Sequence, residues 1–268
     1  MLKVYLIQVD SENGIKSENI AKTKKMILDS HPDEGSLILL PEMFATGYLP
    51  QSIADAAEDF SSSNSGETAQ MLSEVADATK CTVMGAGITH APNGYFNHVS
   101  IYNPGYPKET SSYNKMNLFF PEKETFAPGK NINLFDIKDW KVASFICYDL
   151  RFPEIFREAT KQGAILITIQ AAWPAKRRAH WETLLKARAI ENQVYIAAVN
   201  GVTTDPSHPK PLAGTSLLIS PNGDIIAEAP TNKEAVLTAA LDLQAEKDYR
   251  KSFPVLEGIV PPELWSNV

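Results

Sequence analysis

The stretch KVASFICYDLRFPEIFR, residues 141–157, constrains the fold more than any other part of this chain. Residues 142–146 form a short and mostly apolar run, which is typical of a fully buried strand. Cys147 closes that run, residues 148–152 form a turn, and Pro153 suits the first turn of a following helix. The stretch therefore predicts a strand that passes through a lone cysteine into a helix.

A strand-to-helix turn presents a side chain at the carboxyl edge of a sheet, where α/β proteins place their ligand sites. Backbone N–H groups at such a turn are short of partners and carry a positive partial charge, which favours a nearby thiolate or oxyanion. We therefore expect Cys147 to be a nucleophile held on an elbow. A free cysteine more often behaves as a small buried hydrophobic residue, so the interpretation depends on the rest of the chain.

The length and charge of the chain narrow the classes of protein to which it can belong. Its 268 residues, 44% of them hydrophobic, are enough to bury a sizeable core. Without a linker-like segment they predict a single domain over residues 1–268. A formal net charge of −7 argues against nucleic-acid binding, which requires a basic surface. No apolar run approaches the roughly 18 residues of a membrane span, so no membrane association is expected.

The number of cysteines and the N-terminal residues indicate the cellular compartment of the protein. Cys81 and Cys147 are too few for a disulfide framework, and Cys81 is expected to be buried in a strand. The first residues, MLKVYLIQVDSENG, lack the longer apolar region and the small-residue cleavage site of a signal peptide. We therefore expect a protein of the reducing cytoplasm.

Strands that alternate with helices, followed by a late run of strands, predict an α/β fold with helices covering the sheets. Ser17 is expected to cap a helix that ends near Ser30, and residues 111–130 show no clear period and are predicted to form a loop. Further helices are predicted over residues 67–80 and 176–193, and strands over residues 3–9, 36–40, 81–89, 95–102, 132–137, 141–147, 164–170, 194–201, 212–220, 224–229 and 234–241.

A thiol needs a base to become a thiolate at neutral pH, because free cysteine has a pKa of about 8.5. Histidine is the usual partner, but none of the histidines is uniquely placed, and His180 is expected to pack against or cap its helix beside Trp181. A Cys–His thiol hydrolase stays open as an alternative, and it predicts that Glu42→Gln retains activity. The histidines are His31, His90, His98, His180 and His208.

Two carboxylates and a lysine offer another arrangement. Glu42 directly follows a buried strand in LLPEMF and so lies at a sheet edge, where it is either a base or a carboxylate bound to turn N–H groups. Lys115 lies in YNKMNLF between apolar and aromatic neighbours. Most lysines are solvated, but one drawn inward could stabilise a thiolate or a developing oxyanion. Glu122, seven residues further on, could pair with it.

Three segments, LLPEMF, YNKMNLFFPEKETFAPG and FICYDLRFPE, resemble the signature segments of the nitrilase superfamily of carbon–nitrogen hydrolases, in the order and at the approximate separations of that family. Two later segments, AAWPAKRRAHWETLLKARAIENQVYIAAVNGV and GTSLLISPNGDII, resemble the family as well, so the likeness covers nearly the whole chain. The resemblance implies a four-layer αββα sandwich, an amide substrate, and chemistry that needs no metal and no organic cofactor.

The resemblance also implies roles for individual residues. Glu42, Lys115 and Cys147 would form a catalytic triad, with Glu122 as a second, positioning glutamate. Cys147 would attack the amide carbonyl while Glu42 takes the thiol proton and passes it to the departing ammonia. Lys115 and the backbone N–H of Tyr148 would hold the oxyanion. A thioester would form, and water activated by Glu42 would release the acid.

The residues after the cysteine bear on the substrate. CYDLRFP resembles the ω-amidase and related amidase branches, whereas true nitrilases typically carry Trp-Glu after the cysteine. WPAKRRAHWETLLKARAIENQ resembles ω-amidases, which hydrolyse 2-oxoglutaramate and related ω-amides of dicarboxylates. Arg177 would bind the substrate carboxylate, although a charge run such as residues 176–178 is usually a solvated helix start. Tyr48, Phe119 and Trp173 would line the pocket, although large aromatic residues are more often core.

The resemblance further implies a homodimer or larger homo-oligomer, with residues 153–162 and 181–192 as candidate interface segments. The simpler interpretation of these two segments is that they cover the sheet.

Two alternative functions remain open. One is an N-carbamoyl hydrolase with the same triad, which would release carbon dioxide as well as ammonia. The other is a non-catalytic relative that serves as an interaction module, which would be expected to lack a triad residue.

Overall fold

The computed structural model describes residues 1–12, 14–62 and 66–260. Two six-stranded sheets face each other between two layers of helices, which is the four-layer αββα sandwich that the resemblance implies. The first sheet contains β1 (Leu2–Gln8), β2 (Leu37–Leu39), β3 (Thr82–Ala91), β4 (Gly94–Tyr102) and β5 (Ser111–Asn114). The second contains β6 (Leu134–Ile137), β7 (Trp140–Ile146), β8 (Leu166–Ala171), β9 (Tyr195–Asn200), β10 (Leu217–Ile219) and β11 (Ile225–Glu228), and β12 (Ala235–Leu241) returns to the first.

Each sheet has a parallel centre and antiparallel edges. The strand orders are β12-β1-β2-β3-β4-β5 and β11-β10-β9-β8-β7-β6, with β1-β2-β3 and β7-β8-β9 parallel. Because the carboxyl ends of parallel strands lie at one edge of a sheet, the segments that follow β7 and β8 emerge together from the second sheet. The segment that follows β2 in the first sheet meets them there, since the Ala172 N–H donates to Glu42 at 2.9 Å. Glu42, Cys147 and Ala172 belong to these three segments.

The helices are α1 (Lys16–Asp29), α2 (Ile53–Ala56), α3 (Glu67–Thr79), α4 (Pro153–Lys161), α5 (Arg178–Asn192) and α6 (Leu243–Ser252). Helices α1 and α3 cover the outer face of the first sheet, and α4 and α5 cover the second. No helix in the described ranges is long and apolar enough to cross a bilayer.

The apolar runs that predicted buried strands do form strands, and these strands are buried on both faces. In β1, Val4 and Leu6 enter the core between the sheets, whereas Tyr5 and Ile7 enter the core under α1 and α3. Successive side chains of a strand point to opposite faces, so a strand with helices on one side and a second sheet on the other needs apolar residues at every position. The continuous runs follow from this arrangement.

Several predicted boundaries are wrong, each because tertiary contacts decided the outcome. Helix α1 begins at Lys16, so Ser17 lies inside its first turn and makes no capping bond. Residues 111–114, predicted as loop, form β5, because polar SSYN pairs with β4 and buries Tyr113. The predicted strand over residues 212–220 is reduced to β10. Helix α6 was not predicted, although the Asp242 carboxylate caps it by accepting from the Gln244 N–H at 2.9 Å.

Candidate active site

Cys147 lies on the predicted elbow. It directly follows β7 and has a φ of +43°, and residues 147–151 form a short 3₁₀ turn before Pro153 opens α4. A non-glycine residue in this left-handed region costs about 1–2 kcal/mol, and such strain tends to occur at functional sites. The backbone thus places half-buried Cys147 at the carboxyl edge of the second sheet.

A buried cluster of two glutamates and a lysine lies beside this elbow. The Lys115 ammonium donates to Oε1 of Glu42 and to Oε1 of Glu122, both at 2.8 Å, and all three side chains are buried. The predicted pairing of Lys115 with Glu122 is confirmed, and the solvated interpretation of Lys115 is wrong. Two carboxylates and one ammonium share a site from which water is largely excluded.

Asn97 on β4 completes the cluster, and it was not identified from the sequence. Its Nδ2 donates to Oε1 of Glu42 at 2.7 Å and to Oε1 of Glu122 at 2.8 Å. The second oxygens are held by backbone donors: the Ala172 N–H at 2.9 Å for Glu42, and the Phe119 N–H at 2.7 Å for Glu122. Both carboxylates are therefore fixed from several directions. No sequence pattern singled it out, because β4 also carries the polar residues His98 and Ser100.

Burial and the charges of this cluster shift the pKa values of its members and of Cys147. Burial alone would lower the pKa of Lys115, but the charges of Glu42, Cys147 and Glu122 outweigh it and hold that pKa above its usual value. Burial raises the pKa of Glu122, against the opposing effect of Lys115. Burial and the negative charge of Glu42 raise the pKa of the Cys147 thiol. These effects favour the neutral thiol of Cys147 over its thiolate at neutral pH.

Asp149 connects the elbow to the Lys115 segment, and this role was also missed. One carboxylate oxygen accepts from the Asn117 N–H at 2.8 Å and its Nδ2 at 3.0 Å. The other accepts from the Tyr113 hydroxyl at 2.8 Å and the Ile146 N–H at 3.0 Å. Asp149 lies two residues after Cys147, and Asn117 lies two residues after Lys115. The fully buried carboxylate thus fixes the nucleophile relative to the lysine.

Replacing Asp149 with asparagine is expected to lower kcat about 100-fold, the size of effect that follows from misplacing reacting groups by about 1 Å. An amide offers one acceptor oxygen, so it leaves the N–H of Ile146 or of Asn117 facing a second donor. Steady-state ammonia release would measure the change in kcat, and thermal unfolding would measure the change in stability. Asp139→Asn, an exposed substitution in the turn between β6 and β7, is the matched control. Wild-type kcat in Asp149→Asn would refute the connection.

The predicted pocket residues lie at different distances from the cluster. Tyr48 is half-buried, and its hydroxyl lies near enough for burial and the charges of Glu42, Glu122 and Cys147 to raise its pKa. The Phe119 ring packs at a tilt against that of Tyr148, the residue after Cys147, with ring centroids 5.3 Å apart. Tyr48 thus lies near the charged cluster, and Phe119 lies against the residue that follows the cysteine.

Trp173 and Arg177 lie further along the same edge. Trp173 is buried one residue after Ala172, and its ring lies 5.5 Å from that of Trp181. The indole Nε1 donates to the Arg177 carbonyl at 2.8 Å, which joins the two predicted residues. Trp173 is therefore a core residue, and its predicted place in the pocket lining stays a prediction.

The histidines with described contacts do not serve the thiol. Both ring nitrogens of buried His98 are occupied, by Asn114 Oδ1 at 2.7 Å and Glu109 Oε2 at 2.8 Å. His180 is exposed, which contradicts its predicted packing or capping role, and its Nδ1 lies 3.4 Å from an Arg151 nitrogen. The geometry favours Glu42 over histidine as the base.

The chain is similar to carbon–nitrogen hydrolases over almost its whole length. The profile of the carbon–nitrogen hydrolase family matches residues 3–251. The 2-oxoglutaramate amidase of Bacillus subtilis (strain 168) is 32% identical over 264 residues, which cover 96% of each chain. An ω-amidase of Xenopus laevis is 30% identical over 90% of this chain and 89% of its own length. The crystal structure of XC1258, a CN-hydrolase superfamily protein of Xanthomonas campestris with an arsenic adduct in its active site, has a TM-score of 0.86 at 28% identity and covers 97% of both chains.

Proposed function

Because the chain belongs to the carbon–nitrogen hydrolase family and is an amide-hydrolysing enzyme, we propose that it cleaves a small ω-amide through a thioester on Cys147. The observation that carries the proposal is the buried cluster beside the elbow: the Lys115 ammonium binds Glu42 and Glu122, both at 2.8 Å, and the charges of this cluster act on the Cys147 thiol. A nucleophile, a base and a cation meet at one sheet edge. That set is sufficient for acyl transfer.

In the first half of the reaction, the Cys147 sulfur attacks the amide carbonyl carbon and its proton passes to Glu42. The Lys115 ammonium and the Tyr148 N–H stabilise the tetrahedral oxyanion. The C–N bond then breaks, Glu42 returns the proton to the nitrogen, and ammonia leaves a thioester on Cys147. The raised pKa of the thiol explains why this site needs a carboxylate base.

In the second half, Glu42 takes a proton from water as the water oxygen attacks the thioester carbon. The C–S bond breaks, the carboxylic acid is released, and the proton returns to the sulfur. Glu122 binds the face of Lys115 that Glu42 leaves free and so keeps the ammonium in place. The glutamate that moves protons and the glutamate that positions the lysine thus have separate tasks.

The substrate class is proposed from the relatives together with the site. The two relatives are named for 2-oxoglutaramate and for ω-amides, each an amide on a chain that ends in a carboxylate. The arginine expected to bind that carboxylate, Arg177, is joined to Trp173 at the same sheet edge. We place this enzyme in the reducing cytoplasm, which keeps a catalytic thiol reduced. Assembly into a homodimer through α4 and α5 stays a prediction.

Ammonia release from a panel of small amides tests the proposal. We expect the highest kcat/KM for 2-oxoglutaramate or succinamate, and lower values for glutamine, a carbamoyl amine and an aliphatic nitrile. Preference for the carbamoyl amine, with carbon dioxide among the products, would keep the thiol mechanism and replace the substrate. No release from any member would contradict the ω-amide assignment.

A further inference from the structure

A buried arginine of α5 binds the backbone of the nucleophile elbow. Arg188 is only 4% exposed, although it carries a charge. Its Nε and Nη2 both donate to the Leu150 carbonyl, at 3.2 and 2.9 Å. Leu150 belongs to the 3₁₀ turn over residues 147–151, which begins at Cys147. A guanidinium fork thus closes on the turn that carries the thiol.

The remaining contacts of Arg188 fix its guanidinium in one orientation. Nη1 donates to Oε1 of Glu191 at 2.9 Å, and the guanidinium carbon lies 5.2 Å from the ring centroid of Phe156. The Phe156 ring packs in turn against that of Phe145 on β7, with centroids 4.6 Å apart. A charge is kept inside a protein only where its donors are paired, and all three nitrogens of this guanidinium donate a hydrogen bond.

The 3₁₀ turn is therefore bound on two sides. Asp149 ties it to the Lys115 segment by accepting from the Asn117 N–H at 2.8 Å. Arg188 ties the next residue of the turn to α5. Carbonyls at the end of a short helical turn lack donors within the turn, and a cation bound there interacts favourably with the aligned peptide dipoles. Arg188 supplies both the donors and the cation.

The conformation of the elbow needs such bonds. Cys147 has a φ of +43°, in the left-handed region. A strained residue keeps its conformation only where the surrounding structure over-determines it. When the fork onto the Leu150 carbonyl is removed, the turn is free to relax, and relaxation moves the thiol relative to the charged cluster beside it.

We propose that Arg188 is a positioning residue of the reaction: through the Leu150 carbonyl it holds the elbow in the conformation that keeps the Cys147 thiol beside the buried charged cluster. It acts through the turn and not by contact with the reacting atoms. The inference rests on the proposed function for the role of Cys147. The sequence did not single out Arg188, because it is one of several basic residues on α5.

Arg188→Met tests the proposal, with Arg250→Met as the matched control. The Arg250 guanidinium also donates to backbone carbonyls, those of Gln193 at 3.1 Å and Ala164 at 3.4 Å, and it pairs with Glu246. These two carbonyls precede β9 and β8, so they lie at the sheet edge opposite the elbow. Each variant loses a guanidinium that binds the backbone, and both should unfold at a lower temperature than wild type.

Only the change at Arg188 should slow turnover. We expect kcat of Arg188→Met for succinamate to fall about 10- to 100-fold, the size of effect that follows from misplacing reacting groups by about 1 Å. KM should stay within about 2-fold of wild type, because no substrate contact is lost. Arg188→Lys keeps a positive charge for Glu191 and loses the fork, so it should fold and still show a lowered kcat. Wild-type kcat in both variants would overturn the proposal.

Alkylation of Cys147 by iodoacetamide gives a readout that needs no turnover. Its rate follows the thiolate fraction, and a Cys81→Ala background leaves Cys147 as the one thiol of the chain. Displacing the thiol from the charged cluster should move the pH midpoint of alkylation in Arg188→Met toward about 8.5, the pKa of a free cysteine. Arg250→Met should keep the wild-type midpoint.

The alkylation experiment separates this inference from the proposed reaction. An unchanged midpoint in Arg188→Met, or an equal shift in Arg250→Met, would overturn the positioning role even if amides are hydrolysed. A shift confined to Arg188→Met, without hydrolysis of any amide by wild type, would support the positioning role and reject the ω-amidase reaction.

Discussion

Replacing Cys147 with alanine is expected to lower ammonia release by about 10⁴-fold or more, because the carbonyl then meets no nucleophile at the elbow. The free energy of unfolding should change by less than about 1 kcal/mol, since only a partly exposed sulfur atom is lost. The φ of +43° strains alanine and cysteine alike, so the substitution removes the thiol without changing the backbone strain. Steady-state ammonia release and urea unfolding of both proteins provide the measurement.

The other cysteine supplies the matched control. Cys81 is buried, and its sulfur lies near the carbonyls of Asp33 and Thr79, away from the elbow, so Cys81→Ala should keep the activity. Turnover by a clean preparation of Cys147→Ala would show that another group is the nucleophile. Glu42→Gln shows whether Glu42 or a histidine is the base. We expect this variant to be inactive, whereas an enzyme with a Cys–His pair would keep its activity.

Replacing Lys115 with methionine is expected to damage both stability and activity. The ammonium is the cation that holds Glu42 and Glu122, and its loss leaves two buried carboxylates without a counter-charge. Breaking a buried ion pair in this way costs about 3–5 kcal/mol. Loss of an oxyanion-stabilising group lowers kcat by about 10²–10³. Unfolding in urea and ammonia release measure the two effects, with the exposed Lys130→Met as control.

The destabilisation of Lys115→Met should depend on pH with a defined sign. Without the ammonium, burial and mutual repulsion raise the pKa of the two carboxylates in the folded protein above the unfolded value of about 4.3. A group with a raised folded pKa favours folding while protonated and loses that contribution as pH rises through the folded pKa. The deficit relative to wild type should therefore be small near about pH 4.5 and large near neutral pH. A deficit independent of pH would contradict the role of Lys115 as counter-ion.

Local sequence determined the elements that carry the chemistry. The apolar run before Cys147, the turn after it and Pro153 predicted the elbow, because strand, turn and helix preferences act over a few neighbouring residues. Glu42 was placed at a sheet edge for the same reason, since it lies three residues after the end of β2. The three signature segments identified the family, and with it the four-layer sandwich and the residues to examine.

Tertiary structure alone decided how those residues meet. Lys115 is buried because Glu42, 73 residues away in the chain, and Glu122 enclose its charge, and no local pattern encodes that contact. Asn97 on β4 and Asp149 on the elbow act through partners from remote segments, since Asn97 binds Glu42, 55 residues away, and Asp149 binds Asn117, 32 residues away. Hydrogen bonds and charges depend on distances between atoms, and the distances between remote segments are set only when the sheets assemble.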